Sequence, residues 1–223
     1  MTEAIKLIFY GDKELYKIIF LSLKISGSAV FISCILGIPL SALLALKNLP
    51  FKKIFVSFVN TLMGLPPVVI GLIFYLLLSR KGILGFMEIL YTPSAMILAQ
   101  SILALPIIIA LSHSAIIGVA PILRQAAMTL GATPIQVAFV IIKEARYGII
   151  LGIIAGFGRL TAEVGAILMV GGNISGYTRV MTTAIALETD KGNFELALAL
   201  GIVLILISLV INLILHLIQT FKY

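Results

Sequence analysis

Charge is what this sequence lacks most. Of 223 residues only 11% are Asp, Glu, Lys or Arg, while 61% are hydrophobic and the mean hydropathy is +1.20. A soluble globular domain carries about 25% charged residues and about 45–50% apolar ones. So few charges cannot cover a water-facing surface, which excludes a disordered chain, a secreted scaffold and a cytosolic enzyme. Cysteine is nearly absent too: Cys34 stands alone inside an apolar run, so neither a disulfide framework nor a cysteine metal site is available. A basic cluster is also missing, the densest group being Lys47, Lys52 and Lys53. The net charge of +7 therefore does not point to nucleic acid, and Lys/Arg excess is ordinary in membrane loops. The N-terminus lacks a basic stretch ahead of an apolar core and a small-residue cleavage site, so no signal peptide is expected to be removed.

What is present is long apolar runs. Continuous runs, as opposed to alternating ones, indicate an all-α integral membrane protein and not a barrel. Five segments approach or exceed the roughly 20 residues needed to cross a hydrocarbon core: 25–46, 54–78, 93–117, 147–171 and 196–219. The first can begin near Tyr16, with Lys17 and Lys24 snorkelling to an interface. Residues 1–15 read as a short amphipathic helix on the membrane surface. The whole chain, 1–223, reads as one transmembrane domain. Gly64-Leu65-Pro66-Pro67 punctuates the second span and Pro106 the third, either as packing kinks or as breaks lining a route. Only the fourth span carries charge, on Arg159 and Glu163. Four residues apart, they fall on one helix face near mid-membrane. An unpaired charge there costs about 2.5–3.5 kcal/mol on insertion scales, so they pair with each other or across a dimer axis. They either hold helices together or gate a dianion's passage.

Residues 118–146 are more ordered than a connector requires. Pro121 suits the first turn of a helix and Gly131 the position just past its end. Thr133, Pro134 and Gln136 form the pattern of a capping box opening a second helix. The sequence Arg124-Gln125-Ala126-Ala127, then Gly131, then an apolar run resembles the EAA loop of ABC-importer permeases. Gln125 stands where that pattern has Glu, and Lys143-Glu144 where it has an apolar residue and Pro. A second stretch, Gly156-Phe157-Gly158-Arg159, Glu163-Val164-Gly165-Ala166 and Met169 to Ile174, is similar to the molybdate, tungstate and sulfate permeases. Thr178 to Glu188 resembles the tungstate branch most closely.

The resemblance implies a type I permease architecture with about five transmembrane helices. It implies a homodimer in a prokaryotic plasma membrane, N-terminus outside and C-terminus in the cytoplasm. Lys/Arg counts do not decide that orientation, with seven on each side. Two cytoplasmic ABC ATPase subunits would dock on the loop through Arg124, Gln125, Ala126, Ala127, Gly131, Thr133 and Pro134. An extracytoplasmic oxyanion-binding protein would dock on residues 80–92 and 172–195. Arg159, Glu163, Gly165, Asn173, Thr182 and Thr183 would belong to the gate or path. Gly171 and Gly172 offer amides for an anion nest, and hydroxyls, an amide and a guanidinium suit passing contact with a tetrahedral oxyanion. No G-x-x-x-x-G-K-[ST] loop occurs, so the chain is expected to bind no cofactor and hydrolyse no ATP, Mg-ATP being held by the partner subunit. A molybdate or sulfate permease is the alternative within this class. An ion-coupled secondary transporter is the alternative outside it, although such proteins usually show two related halves and no internal repeat is visible. His113 and His216 are too far apart in sequence for a metal pair, and His113 beside Ser112 and Ser114 reads as a helix-end polar residue.

Overall fold

A computed structural model describes residues 13–47 and 50–220. Among the described residues it is helical throughout. Helix α1 (Lys13–Leu46) is followed by α2 (Lys52–Met63), α3 (Pro67–Leu78) and a 3-10 turn at Gly85–Met87. Then come α4 (Pro93–Thr129), α5 (Pro134–Glu144), α6 (Arg146–Thr161), α7 (Gly165–Gly171), α8 (Met181–Asp190) and α9 (Phe194–Thr220). The expected surface helix at 1–15 falls outside the described residues up to position 12, and Lys13 to Leu15 already belong to α1.

Three of these helices are long and apolar enough to span a membrane alone: α1, α4 and α9. The other two expected spans are bent pairs. Helices α2 and α3 meet at 97°, and α6 and α7 at 62°. The first bend follows from Gly64-Leu65-Pro66-Pro67. Gly64 ends α2, Pro66 is extended at ψ 121°, and Pro67 opens α3 where its missing N–H costs nothing. Pro106 does not interrupt its span: α4 runs straight through both Pro106 and Pro121. Pro121 is therefore not the start of a separate helix. The expected two short helices are the end of α4 and α5. His113, expected at a helix end, lies inside α4 and is buried.

Helices pack through small residues and shared hydroxyls. Ser33 Oγ donates to the carbonyls of Ala29 and Ser101, and Ser101 Oγ reaches the Ala29 carbonyl at 3.3 Å, tying α1 to α4. Gly148, Gly152 and Gly156 form an i, i+4, i+8 stripe on α6 facing α4. A Cβ on Gly148 would lie 2.5 Å from Ala115 Cβ, and one on Gly152 would lie 3.0 Å from Leu111 Cβ. In lipid such close backbone approach supplies the packing that water would otherwise drive. One apolar cluster, including Ile25, Leu78, Met96 and Val170, fills the end where α4 begins. Another, around Ile116, Val137, Ile141 and Ile149, fills the opposite end beneath α5.

Candidate functional site: a charged hinge and a projecting loop

The charged pair sits at the bend between α6 and α7. Helix α6 ends at Thr161, so Arg159 and Glu163 do not share one continuous helix. They still meet: Arg159 Nη1 donates to Glu163 Oε2 at 3.1 Å. The partners differ in surroundings, with the Arg159 side chain 44% exposed and that of Glu163 5%. The other carboxylate oxygen, Oε1, accepts the Ala166 amide at 3.2 Å, where the first turn of α7 has an unused donor. Breaking a helix frees carbonyls as well. Thr182 Oγ1 on α8 donates to the Glu163 carbonyl at 2.7 Å, and Gln100 Nε2 on α4 donates to that of Leu160 at 3.2 Å. Helices α4 and α8 therefore each contribute one bond to hold the bend. Gln100 is fully buried and its Oε1 has no partner among the described residues.

The remaining expected path residues gather beside the bend. Gly165 meets Val68 of α3 so closely that a Cβ would overlap it, and a Cβ on Gly71 would lie 2.7 Å from Ala166 Cα. Helices α3 and α7, the second halves of the two bent spans, thus touch backbone to backbone. Thr182 and Thr183 are both buried. Thr183 Oγ1 accepts the Val180 amide at 3.2 Å, closing the start of α8, and the Thr183 carbonyl accepts from Asn173 Nδ2 at 3.2 Å. Asn173 holds a left-handed φ of 51°, following Gly172 at 68°. The Thr182 and Thr183 hydroxyls and Asn173 Nδ2 donate to backbone carbonyls, while Asn173 Oδ1 has no partner among the described residues. Arg159 is the expected path residue with a substantially exposed charge.

At the far end of α4 the loop of residues 118–146 takes a defined shape. Gly131 has φ 76°, and the Ala132 amide reaches back to the Ala127 carbonyl at 3.0 Å. This is the 6→1 closure that needs a left-handed residue after the helix. The expected capping box is present: Gln136 Oε1 accepts the Thr133 amide at 2.8 Å, and Thr133 Oγ1 accepts that of Gln136 at 3.4 Å, with Pro134 at N1. Arg124, Gln125 and Ala126 are exposed, Ala127 half-buried. The sequence reading missed the apolar tip: Met128, Leu130, Ile135 and Phe139 are exposed by 60%, 87%, 81% and 70%. Helix α4 has 37 residues, about 55 Å of helix against a hydrocarbon core of about 30 Å. Helix α4 is thus longer than a hydrocarbon core requires, and the exposed apolar tip follows its end. A helical excess over membrane thickness, together with apolar residues beyond it, was the available signal.

Comparison with known proteins agrees with this geometry. A protein of Haloferax volcanii named "Probable anion ABC transporter permease protein" is 44% identical over 196 residues, 86% of this chain and 84% of the relative. The tungstate uptake system permease protein TupB of Peptoclostridium acidaminophilum is 39% identical over 97% of this chain and 95% of its own length. The molybdenum transport system permease protein ModB of Escherichia coli is 32% identical over 88% of this chain and 91% of its own. Among solved structures, one described as "Crystal structure of an amino acid ABC transporter with histidines" superposes with a TM-score of 0.70 at 19% identity, over 98% of this chain and 96% of that one. At that identity it speaks for the fold alone. The family described as binding-protein-dependent transport system inner membrane component matches residues 37–221. Matched over most of its length and sharing the fold, the chain belongs to the binding-protein-dependent transport system inner membrane component family.

Proposed function

We propose that the chain is the membrane permease of an ATP-driven importer that carries tungstate. The observation that carries this reading is its likeness to the tungstate permease of Peptoclostridium acidaminophilum over 97% of its length, above the 32% identity to the molybdenum permease. Two copies form the pathway, since one protomer buries its hydroxyls within itself and leaves only one face of each bend to enclose a route. The N-terminus lies outside and the C-terminus in the cytoplasm. Two ATPase subunits, which hold Mg-ATP, grip the apolar tip of the 118–146 loop. A binding protein delivers the oxyanion to the opposite end, at residues 80–92 and 172–195.

The helices supply a route for the motion. Displacement of the tip moves the end of α4, and the glycine stripe of α6 transmits it because Ala115, Leu111 and Ile108 of α4 pack directly onto that backbone. The motion ends at the bend, where the Arg159 guanidinium presents a positive charge on the exposed side of a buried carboxylate. A dianion passing there meets a cation already oriented by Glu163. The test is uptake into proteoliposomes holding the permease, its ATPase and its binding protein. ATP-dependent tungstate uptake outcompeting molybdate and sulfate is expected, with no ATPase activity from the permease alone. Uptake driven by an ion gradient without the ATPase would replace this reading with a secondary transporter.

A further inference from the structure

A groove of about 620 Å³ lies at the end of the molecule where α1 begins, opposite the loop tip. One wall is α1, with Lys13, Lys17, Phe20 and Lys24; the other is the segment from Ser175 to Arg179. On a helix turning 100° per residue, Lys13, Lys17 and Lys24 fall within roughly 40° of one another. None of the three lysines has an ion pair among the described residues. Across the groove the Arg179 side chain is only 14% exposed, with Nη1 3.5 Å from Glu14 Oε1 and 4.0 Å from Glu188 Oε1. Its Nε is buried without an acceptor among the described residues, so its guanidinium keeps uncompensated donor capacity in that wall. Gly176, with φ 72°, leaves open space in that wall. Four cations against Glu14 give the groove a surplus of three positive charges.

The same face of α1 says what kind of anion fits. Phe31 and Ile35 are in line with Lys13, Lys17 and Lys24, and are 66% and 57% exposed. The stripe is thus basic at the helix start and apolar about 10 Å further along. A phosphate lodged among the lysines would have an apolar track running from it into the hydrocarbon region. A free oxyanion has no use for that track.

We propose that this groove binds the phosphodiester headgroup of an anionic phospholipid, with its acyl chains lying along Phe31 and Ile35. The lysines neutralise the phosphate, and the Arg179 guanidinium in the facing wall adds its charge to theirs. The site is independent of the transported oxyanion and can be read without transport. The experiment titrates the full-length purified permease in neutral detergent with phosphatidylglycerol, phosphatidylcholine, inorganic phosphate and tungstate, following bound lipid by native mass spectrometry and thermal stability in parallel. Phosphatidylglycerol is expected to bind and stabilise, and phosphatidylcholine, phosphate and tungstate are not. Lys17→Gln with Lys24→Gln should weaken phosphatidylglycerol about tenfold or more, while Lys17→Arg with Lys24→Arg retains it and guards against a folding artefact. Equal phosphatidylglycerol binding by the wild type and the glutamine variant overturns the proposal. Stabilisation by phosphate or tungstate as strong as by phosphatidylglycerol assigns the groove to a soluble anion and overturns it too. Loss of binding-protein capture with unchanged lipid binding would make it a docking surface for an acidic protein instead.

Discussion

Arg159 and Glu163 are one ion pair with two unequal ends. Glu163 is 5% exposed and Arg159 44%, so removing either partner leaves a different problem. Arg159→Ala strands a buried carboxylate with only the Ala166 amide to hold it, at a cost of about 1–3 kcal/mol after allowing for the half-exposed partner. Glu163→Gln keeps an acceptor for that amide and leaves a guanidinium that can reach solvent or headgroups. Thermal unfolding in detergent should therefore rank Arg159→Ala as the less stable variant, and the double variant should recover part of the loss. Equal single effects that add would show the pair to be energetically uncoupled. Glu188, outside the spans, offers a second test at this scale. Lys191 donates to Glu188 Oε1 at 2.9 Å and Asn193 to Oε2 at 3.0 Å, and these bonds, that of Lys191 foremost, hold its pKa below the ordinary 4.5. A lowered folded pKa means the stabilisation is complete above the unfolded value of 4.5 and is lost as pH falls through the lower folded value. Melting temperature measured down through that window should fall more steeply for the wild type than for Glu188→Gln. Residue types alone made the Arg159–Glu163 pair legible, because two charges in an uncharged run must meet. The partners Thr182 and Gln100 were not legible: they are 19 residues and 60 residues away from the carbonyls they satisfy, and only the tertiary fold brings them there.

Among the helices, close approach separates glycines that look alike in sequence. A Cβ on Gly71 would lie 2.7 Å from the Ala166 backbone, whereas one on Gly158 meets nothing within 4 Å. Gly71→Ala must push α3 off α7, costing about 1–3 kcal/mol, while Gly158→Ala, mid-helix, should be neutral or stabilising by up to about 1 kcal/mol. Thermal unfolding of the two variants side by side checks this; equal behaviour would mean α3 and α7 are not in backbone contact. The five apolar runs were legible from length and composition, and so was the bend at Gly64-Leu65-Pro66-Pro67, where two prolines cannot both sit in a helix interior. The bend between α6 and α7 carries no proline. It is held instead by hydrogen bonds from α4 and α8 to the broken backbone and by close packing on α3, and local sequence holds no record of them. Conversely, Pro106 and Pro121 suggested breaks that α4 does not have: Pro106 is buried, where packing holds a helix that propensity alone would interrupt, while Pro121 is exposed and the helix is continuous there too.

At the scale of the whole molecule, two exposed apolar patches lie at the two ends of α4. Met128 near its end, Leu130 in the turn that follows, and Ile135 and Phe139 on α5 form the exposed tip, while exposed Ile83 and Phe86 precede its start. Both patches are apolar, yet only the first follows a helix longer than a hydrocarbon core requires, with a 6→1 turn and a capping box fixing its shape. If that tip is where the ATPase grips, Leu130→Ser with Phe139→Ser should abolish co-purification of the ATPase, because truncating buried apolar anchors commonly costs 2 kcal/mol or more each, in the range of about 2–4 kcal/mol. The fold should be untouched, since both side chains already face outward by 87% and 70%, and melting temperature of the permease alone should stay within about a degree of wild type, as expected for substitutions within about 0.5 kcal/mol. Ile83→Ser with Phe86→Ser serves as the opposite-end control: the ATPase should remain bound and only capture of the binding protein should weaken. Loss of the ATPase from both variants would point to a global defect, and its retention by the tip variant would move the coupling surface elsewhere. The control matters because exposed apolar residues in a membrane protein usually face lipid. Position along α4, and not exposure, distinguishes a docking tip from a lipid-facing stripe.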